Sequence, residues 1–392
     1  MAAVQHQFSG SVRGLYIAFE LGWDTWRLAF GTGLGDNSRQ RQVAGRNLAA
    51  VRAEIAKAKA KFGLGDDAPV VCCYEAGRDG HWLHRFLTAN GMTCHEVDSS
   101  SIEVNRRRRR AKTDRLDAEQ LLRMLIRYEN GERNVWRVVN VPSFEDETRR
   151  HPHRELEDWK SQRRQYSNRI KGLLAAVGQE LEVDNDFPEE LRRLRTWDGR
   201  GLGDELTSRL LRQYEGWQFA DRKIKDLENE RRRQIGKGTA PWLERVRRLL
   251  TLKGIGANSA WLFVAEVFGW RKIGSARQLG SLAGLTPTPY ASGRSAHEQG
   301  ISKAGNRRLR AMAVEIAWCW LHYQPASALS QWFRKRFGVG ARLRKIGIVA
   351  LARKLLVALW RYLERGEVPA GATVVDWRSK LAGHRIKEAA AV

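Results

Sequence analysis

Cysteine is scarce: four residues in 392, at Cys72, Cys73, Cys94 and Cys319, with no CxxC pair. That excludes a disulfide framework and a zinc site built on paired cysteines. Long apolar runs are also missing. No stretch approaches the ~18 consecutive apolar residues of a membrane span, and the N-terminus lacks a basic-then-apolar signal pattern. The expected setting is therefore cytoplasmic and, given the charge, nucleoid-associated. Acid is in deficit, with 44 Asp and Glu against 69 Lys and Arg, a net charge of +25. An excess of that size stabilises contact with a polyanion, and nucleic acid is the commonest one in the cytosol. A membrane surface is the weaker partner, because no segment is both amphipathic and densely basic. Hydrophobic residues at 42% and charged residues at 29% exclude wholesale disorder. At ~150 residues per domain, the length implies two or three domains.

The first part, residues 12–130, alternates strands and helices. Leu15 to Phe19 and Trp26 to Phe30 pair as strands across Gly22-Trp23-Asp24, and Val51, Ile55 and Ala58 lie at helical spacing within Asn47 to Phe62. Val70 to Tyr74 is a continuous apolar run, the pattern of a strand buried on both faces. A helix over His81 to Asn90, a strand over Met92 to Val97 and a periodic helix over Asp114 to Tyr128 complete a mixed α/β domain. From 142 to 240 charge dominates. Two apolar stripes, Leu156 to Val177 and Leu206 to Leu227, predict long paired helices, either a coiled-coil arm or two ordinary packed helices. Residues 241–365 read as all-α. Their Gly254-Ile255-Gly256 turn is either a helix-hairpin-helix turn approaching phosphate or a plain cap. Residues 366–392 are a tail.

Four carboxylates of the first domain stand out by placement. Glu20 and Glu75 close two strands, while Asp114 and Asp117 open a helix on one face. Convergent acidic side chains need a counter-ion, and all-oxygen sets of this kind hold Mg2+. Singly, each has a plainer reading: Asp114 as an N-cap, Glu75 as an exposed strand end. Together, on a chain this basic, metal binding is the better explanation. Arg106, Arg107, Arg108, Arg109, Arg110 and Lys112 lie directly before that helix and suit phosphate contacts. Further on, Ser292 precedes a glycine, with Arg294, Lys303, Arg307 and Arg310 able to neutralise phosphate charge; from spacing alone it is a turn serine. His81/His84 and His151/His153 lack a third ligand and read as surface residues. Of fifteen tryptophans most belong in cores, and some can stack on bases.

Taken in order, these blocks resemble the DEDD transposases, an insertion-sequence family related to Piv-type DNA invertases. The resemblance rests on Ile17 to Phe30, Tyr74-Glu-Ala-Gly77, Val97-Asp-Ser-Ser100 and Lys112 to Glu119. It continues through Leu252 to Gly256, Ala283 to Pro287, Ser292-Gly293 and Gly300 to Arg310. It implies a RuvC-like, RNase H-type domain with Glu20, Glu75, Asp114 and Asp117 as its acidic tetrad, the first standing where the family usually has Asp. It implies Ser292 as the nucleophile of a covalent phosphoserine step, with Mg2+ on one subunit meeting the serine of another. DNA, a non-coding guide RNA and a homo-oligomer are the implied partners. The expected function is a transposase or site-specific recombinase. The alternatives are a metal-dependent nuclease or Holliday-junction resolvase, and a catalytically silent nucleic-acid-binding protein.

Overall fold

The protein is seen here in a computed structural model describing residues 14–78, 80–103, 114–292, 295–338 and 340–381; the side chains at 114, 115 and 290–299 lie outside the description. Arg106 to Arg110, Lys112 and Arg294 are likewise outside the described residues. The chain forms two compact units, divided between Pro142 and Ser143.

The first unit runs β1 (Leu15–Leu21), β2 (Thr25–Gly31), β3 (Arg39–Ala44), α1 (Leu48–Lys61), β4 (Val70–Glu75), α2 (Trp82–Ala89), β5 (Thr93–Val97) and α3 (Asp114–Glu129). The strands form one sheet in the order β3-β2-β1-β4-β5. β1–β2 and β2–β3 are antiparallel, whereas β1–β4 and β4–β5 are parallel. The two-residue period sorts the side chains. Ile17, Phe19, Cys72 and Tyr74 pack with α1 and α2, while Ala18, Ala29 and Cys73 pack under α3. Small residues on the α3 face let that helix lie close to the sheet. Both faces of β4 are buried, as its unbroken apolar run requires. Burial pushes the Cys72 and Cys73 thiols up, so they remain protonated packing groups.

The second unit begins with α4 (Phe144–Thr148), α5 (His151–Ala175), α6 (Phe187–Arg193) and α7 (Asp204–Lys237). α5 and α7 pack antiparallel. Lys160 meets Glu228 at 2.6 Å, Arg163 pairs with Asp221, and Arg169 reaches Gln213 at 3.2 Å. Their seam buries Leu156, Ile170, Leu210, Tyr214 and Ile224, members of the stripes seen in the sequence. Chain order continues through α8 (Pro241–Leu250), α9 (Ala257–Phe263), a π-helical turn (Val264–Phe268), α10 (Ala276–Leu282), β6 (Pro287–Ser292) and β7 (Ser295–Ile301). α11 (Arg307–Tyr323), α12 (Ala328–Phe337) and α13 (Ala341–Arg365) complete it. One large core joins Ile235 to α8, α9, α11 and α13, with Trp320 fully enclosed. The stretch after 365 is no loose tail as far as 381. Leu252 bridges Val374, and Lys380 Nζ donates to the carbonyls of Leu252 and Ile255 at 2.6 and 3.0 Å. Among the described residues no helix is long and apolar enough to cross a membrane.

Candidate active site

The acidic residues of the first unit take their places from strand register. Phe19 pairs with Tyr74 across the parallel β1–β4 ladder, so Glu20 and Glu75 are neighbours at the C-terminal ends of adjacent strands. Each lies two residues beyond a side chain packed under α3, Ala18 and Cys73 respectively, and so belongs to that face. Gly31, opposite Tyr16 at the start of β1, packs on Leu122 and Ile126. The first turns of α3 therefore lie toward the other end of β1, where Arg27 pairs with Glu20. Asp117 is four residues before the buried Leu121, on the sheet-facing side of α3. Glu20 and Glu75 thus share one end of the sheet face that α3 covers, and Asp117 lies in the first turns of α3; Glu20 and Asp117 are half-buried and Glu75 exposed. Among the described residues no three His, Cys, Asp or Glu side chains are close enough to hold a metal ion. The expected fourth donor, Asp114, opens α3, but its side chain is outside those residues. The donor set is all carboxylate, which fits Mg2+ in kind.

Ser292 lies in the second unit, as the last residue of β6, paired with Ser295 of β7. The residue read as a turn serine therefore ends a strand of a two-stranded hairpin, next to its tip. The hairpin's base is built by close backbone crossing. Gly284 has φ +65°, and a Cβ there would meet the Ala304 carbonyl at 2.0 Å; Gly305 has φ +92°, and its Cβ would meet the Leu282 carbonyl at 2.3 Å. Only glycine fits both positions. Ser302 N donates to Thr286 O at 2.9 Å and Asn306 N to Leu282 O at 2.8 Å, closing the crossing. Arg307 and Lys303 are exposed, whereas Arg310 is half-buried and donates to Ala283 O at 3.2 Å. The glycine-bounded blocks of the sequence are the two halves of this clamp.

A buried polar network beneath the clamp was not legible from spacing. Asn306 caps α11, accepting from Leu309 N at 3.0 Å, and its Nδ2 donates at 2.9 Å to Glu266 in the π-helical turn. Glu266 is buried and also meets Arg154 Nη2 at 3.4 Å. Alongside, Arg308 Nε meets Glu157 at 2.6 Å, and Arg231 Nη1 donates to Asn258 at 2.7 Å. Burial lowers the Arg231 guanidinium to about 10. The one signal for all this was a lone carboxylate, Glu266, inside an otherwise apolar run. His153 belongs here too, which corrects its reading as a surface residue. It is 1% exposed, with Nδ1 3.5 Å from Arg231 Nη2. Burial first, then the Arg231 charge, pushes its imidazole down to about 3. His81 and His84 are not plain surface residues either. His81 Nδ1 lies 2.8 Å from the buried Glu96, and burial lowers the half-buried His84. Trp320 is core, while Trp318 is partly exposed.

Residues 246–331, which hold the α8–α9 turn, the hairpin and the clamp, match the model of the "Transposase IS116/IS110/IS902 family". The y4rJ protein of Sinorhizobium fredii, a transposase by name, is 39% identical over 374 residues, covering 92% of this chain and 94% of that one. The transposase for insertion sequence element IS1111A of Coxiella burnetii is 28% identical over 205 residues, covering 51% and 54%. The transposase for insertion sequence element IS1328 of Yersinia enterocolitica is 28% identical over 166 residues, covering 42% and 47%. Similarity to y4rJ along nearly the whole of both chains, together with the family match over the serine hairpin, shows that the chain belongs to the IS116/IS110/IS902 family of transposases.

Proposed function

We propose that the protein is an insertion-sequence transposase that cuts and rejoins DNA by two-centre phosphoryl transfer, with a RuvC-like first unit and a serine nucleophile in the second. What supports this reading is that Glu20 and Glu75 end adjacent strands on the sheet face that α3 covers, in a chain of this family. Mg2+ held by Glu20, Glu75, Asp114 and Asp117 would neutralise phosphate charge and polarise the phosphodiester. Ser292 Oγ forms a bond to phosphorus and gives up its proton as a deoxyribose oxygen leaves. The reverse attack by a deoxyribose hydroxyl rejoins the strand and frees the serine, so the number of phosphoester bonds is conserved. Arg294, Lys303 and Arg307 stabilise the charge that develops on the phosphoryl oxygens. Arg310, tied to the Ala283 carbonyl, keeps the loop beneath them in place. The surplus of basic residues serves DNA and a guide RNA, with Arg106 to Arg110 and Lys112 as phosphate contacts. The carboxylates and the serine belong to different units, and the α5–α7 pair builds the homo-oligomer that supplies both to one phosphodiester.

A suicide DNA substrate with Mg2+ tests the chemistry. The wild type should trap a detergent-resistant protein–DNA adduct, while Ser292→Ala and Asp117→Ala bind DNA and trap none. Recombination by Ser292→Ala would overturn the serine step and favour attack by water, as in a metal nuclease or resolvase.

A further inference from the structure

Two surfaces of the second unit have complementary chemistry. The first is a groove of about 940 Å3 beside the serine hairpin, between the hairpin base, α12 and α13. Its floor is aliphatic, including Leu285, Ile301, Leu329 and Val349, and its rim carries Lys345, Arg353, Lys354 and Arg361, with no carboxylate among the described lining residues. The second surface is the end of the α5–α7 pair. Residues 178–205 hold nine carboxylates against four arginines, a local charge of −5 in a chain of +25. In their midst Trp197 is 92% exposed. It is held out on a formed turn: Thr196 N donates to Arg200 O at 2.8 Å, Gly199 N to Thr196 O at 2.9 Å, and Asp198 accepts from Thr196 Oγ1 and Arg200 Nε at 2.5 and 2.6 Å. A large aromatic held on a hydrogen-bonded turn loses little conformational freedom when it docks.

The tip does not reach the groove of its own chain. It packs on a separate small core containing Leu210, whereas Ile235 at the other end of α7 belongs to the large core beside the groove. The 25 helical residues between them span roughly 37 Å at ~1.5 Å each. We propose that the groove receives the arm tip of a second copy, with Trp197 on the aliphatic floor and the acidic residues against the Lys345, Arg353, Lys354 and Arg361 rim. Nucleic acid fits the groove less well. Among the described residues that line it there is a single aromatic ring, Trp332, already covered by Lys354 at 4.8 Å, where base stacking needs exposed rings. An acidic tip, in turn, repels phosphate. Because Pro287 and Ile301 at the hairpin base line the groove, docking would brace the element that carries Ser292.

The proposal deepens the oligomer reading above, and the experiment separates the two. Full-length protein is compared by sedimentation with Trp197→Ala and with Ile346→Asp, which adds a carboxylate at a groove residue 54% exposed and so spares the fold. Each variant should weaken self-association about 30-fold, the order expected for losing a buried tryptophan anchor. A photo-crosslinking residue at 197 should join to residues 329–361 of an isotopically distinct copy. A wild type that stays monomeric with and without nucleic acid would overturn both readings. Oligomers that neither substitution weakens, or crosslinks mapping elsewhere, would overturn this contact alone. Loss of nucleic-acid affinity by Ile346→Asp with self-association unchanged would assign the groove to nucleic acid instead.

Discussion

His153 makes the buried network measurable. Its imidazole is 1% exposed and lies 3.5 Å from the Arg231 guanidinium, so protonation would set a second buried cation beside the first. Burial and that charge hold it at about 3, against an ordinary 6.5. Between those values the unfolded chain binds a proton that the folded chain refuses, so stability is full above pH 6.5 and falls as the pH drops toward 3. The slope is at most about 1.4 kcal/mol per pH unit, which at pH 5 amounts to roughly 2 kcal/mol. His153→Gln removes the titration and keeps an oxygen able to accept from Arg231. Urea unfolding of the second unit, followed by tryptophan fluorescence at pH 7 and pH 5, isolates the term, because every other group titrates alike in both proteins. The wild type should lose about 2 kcal/mol more than the variant between the two pH values. Equal losses would mean that His153 carries its proton in the folded state, and the account of the network around Arg231 would fail.

Gly305→Ala should destabilise the second unit by at least ~2 kcal/mol, since alanine must adopt φ +92° and its Cβ would meet the Leu282 carbonyl at 2.3 Å. Strand rejoining should fall more steeply than DNA binding, and a variant with wild-type melting and rejoining would refute the clamp. Log affinity for DNA should decline with log salt at roughly 0.9 per neutralised phosphate. Arg307→Ala should reduce that slope by about 1 without changing sequence preference; an unchanged slope would remove the exposed Arg307 from the phosphate contacts.

The first unit was largely legible because its apolar residues repeat with the periods of the elements they form. β1, β2, β4, β5, α1, α2 and α3 all lie within a few residues of their expected bounds. β3 escaped because Arg-Gln-Arg-Gln-Val-Ala shows no apolar alternation. It is an edge strand whose buried members are Arg39, paired with Glu54 at 2.5 Å, and Val43. The β6–β7 hairpin escaped because Pro287, Pro289 and Gly300 are turn residues by type, yet proline is tolerated in an edge pair. α6 was hidden in the acidic break between the long helices, where Pro188 reads as a breaker but occupies the first turn of a helix, where proline is tolerated.

The candidate site divides along the same line. Glu20 and Glu75 could be placed because a carboxylate ending a buried strand stands out, and strand register then makes them neighbours. What secures the serine hairpin could not be placed, because its partners are scattered over 150 residues. Arg154 and Glu157 come from α5, Glu266 from the π-helical turn, and Asn306 and Arg308 from the start of α11. No periodicity links these positions. Glu266 is the member buried outright, a carboxylate that must find a partner once the helices around it close, while the Arg308–Glu157 pair remains partly exposed. That requirement also explains the arrangement. In the proposed reaction the Ser292 hydroxyl would have to be held within a fraction of an ångström of its target, and a two-stranded hairpin is too weak to hold it unaided. The glycine crossing fixes the hairpin's base, Asn306 fixes the helix that follows, and Glu266 fixes Asn306. The exposed Lys303 and Arg307 are thereby set on rigid backbone, and under the proposed mechanism their charges would be aimed before any phosphate arrives.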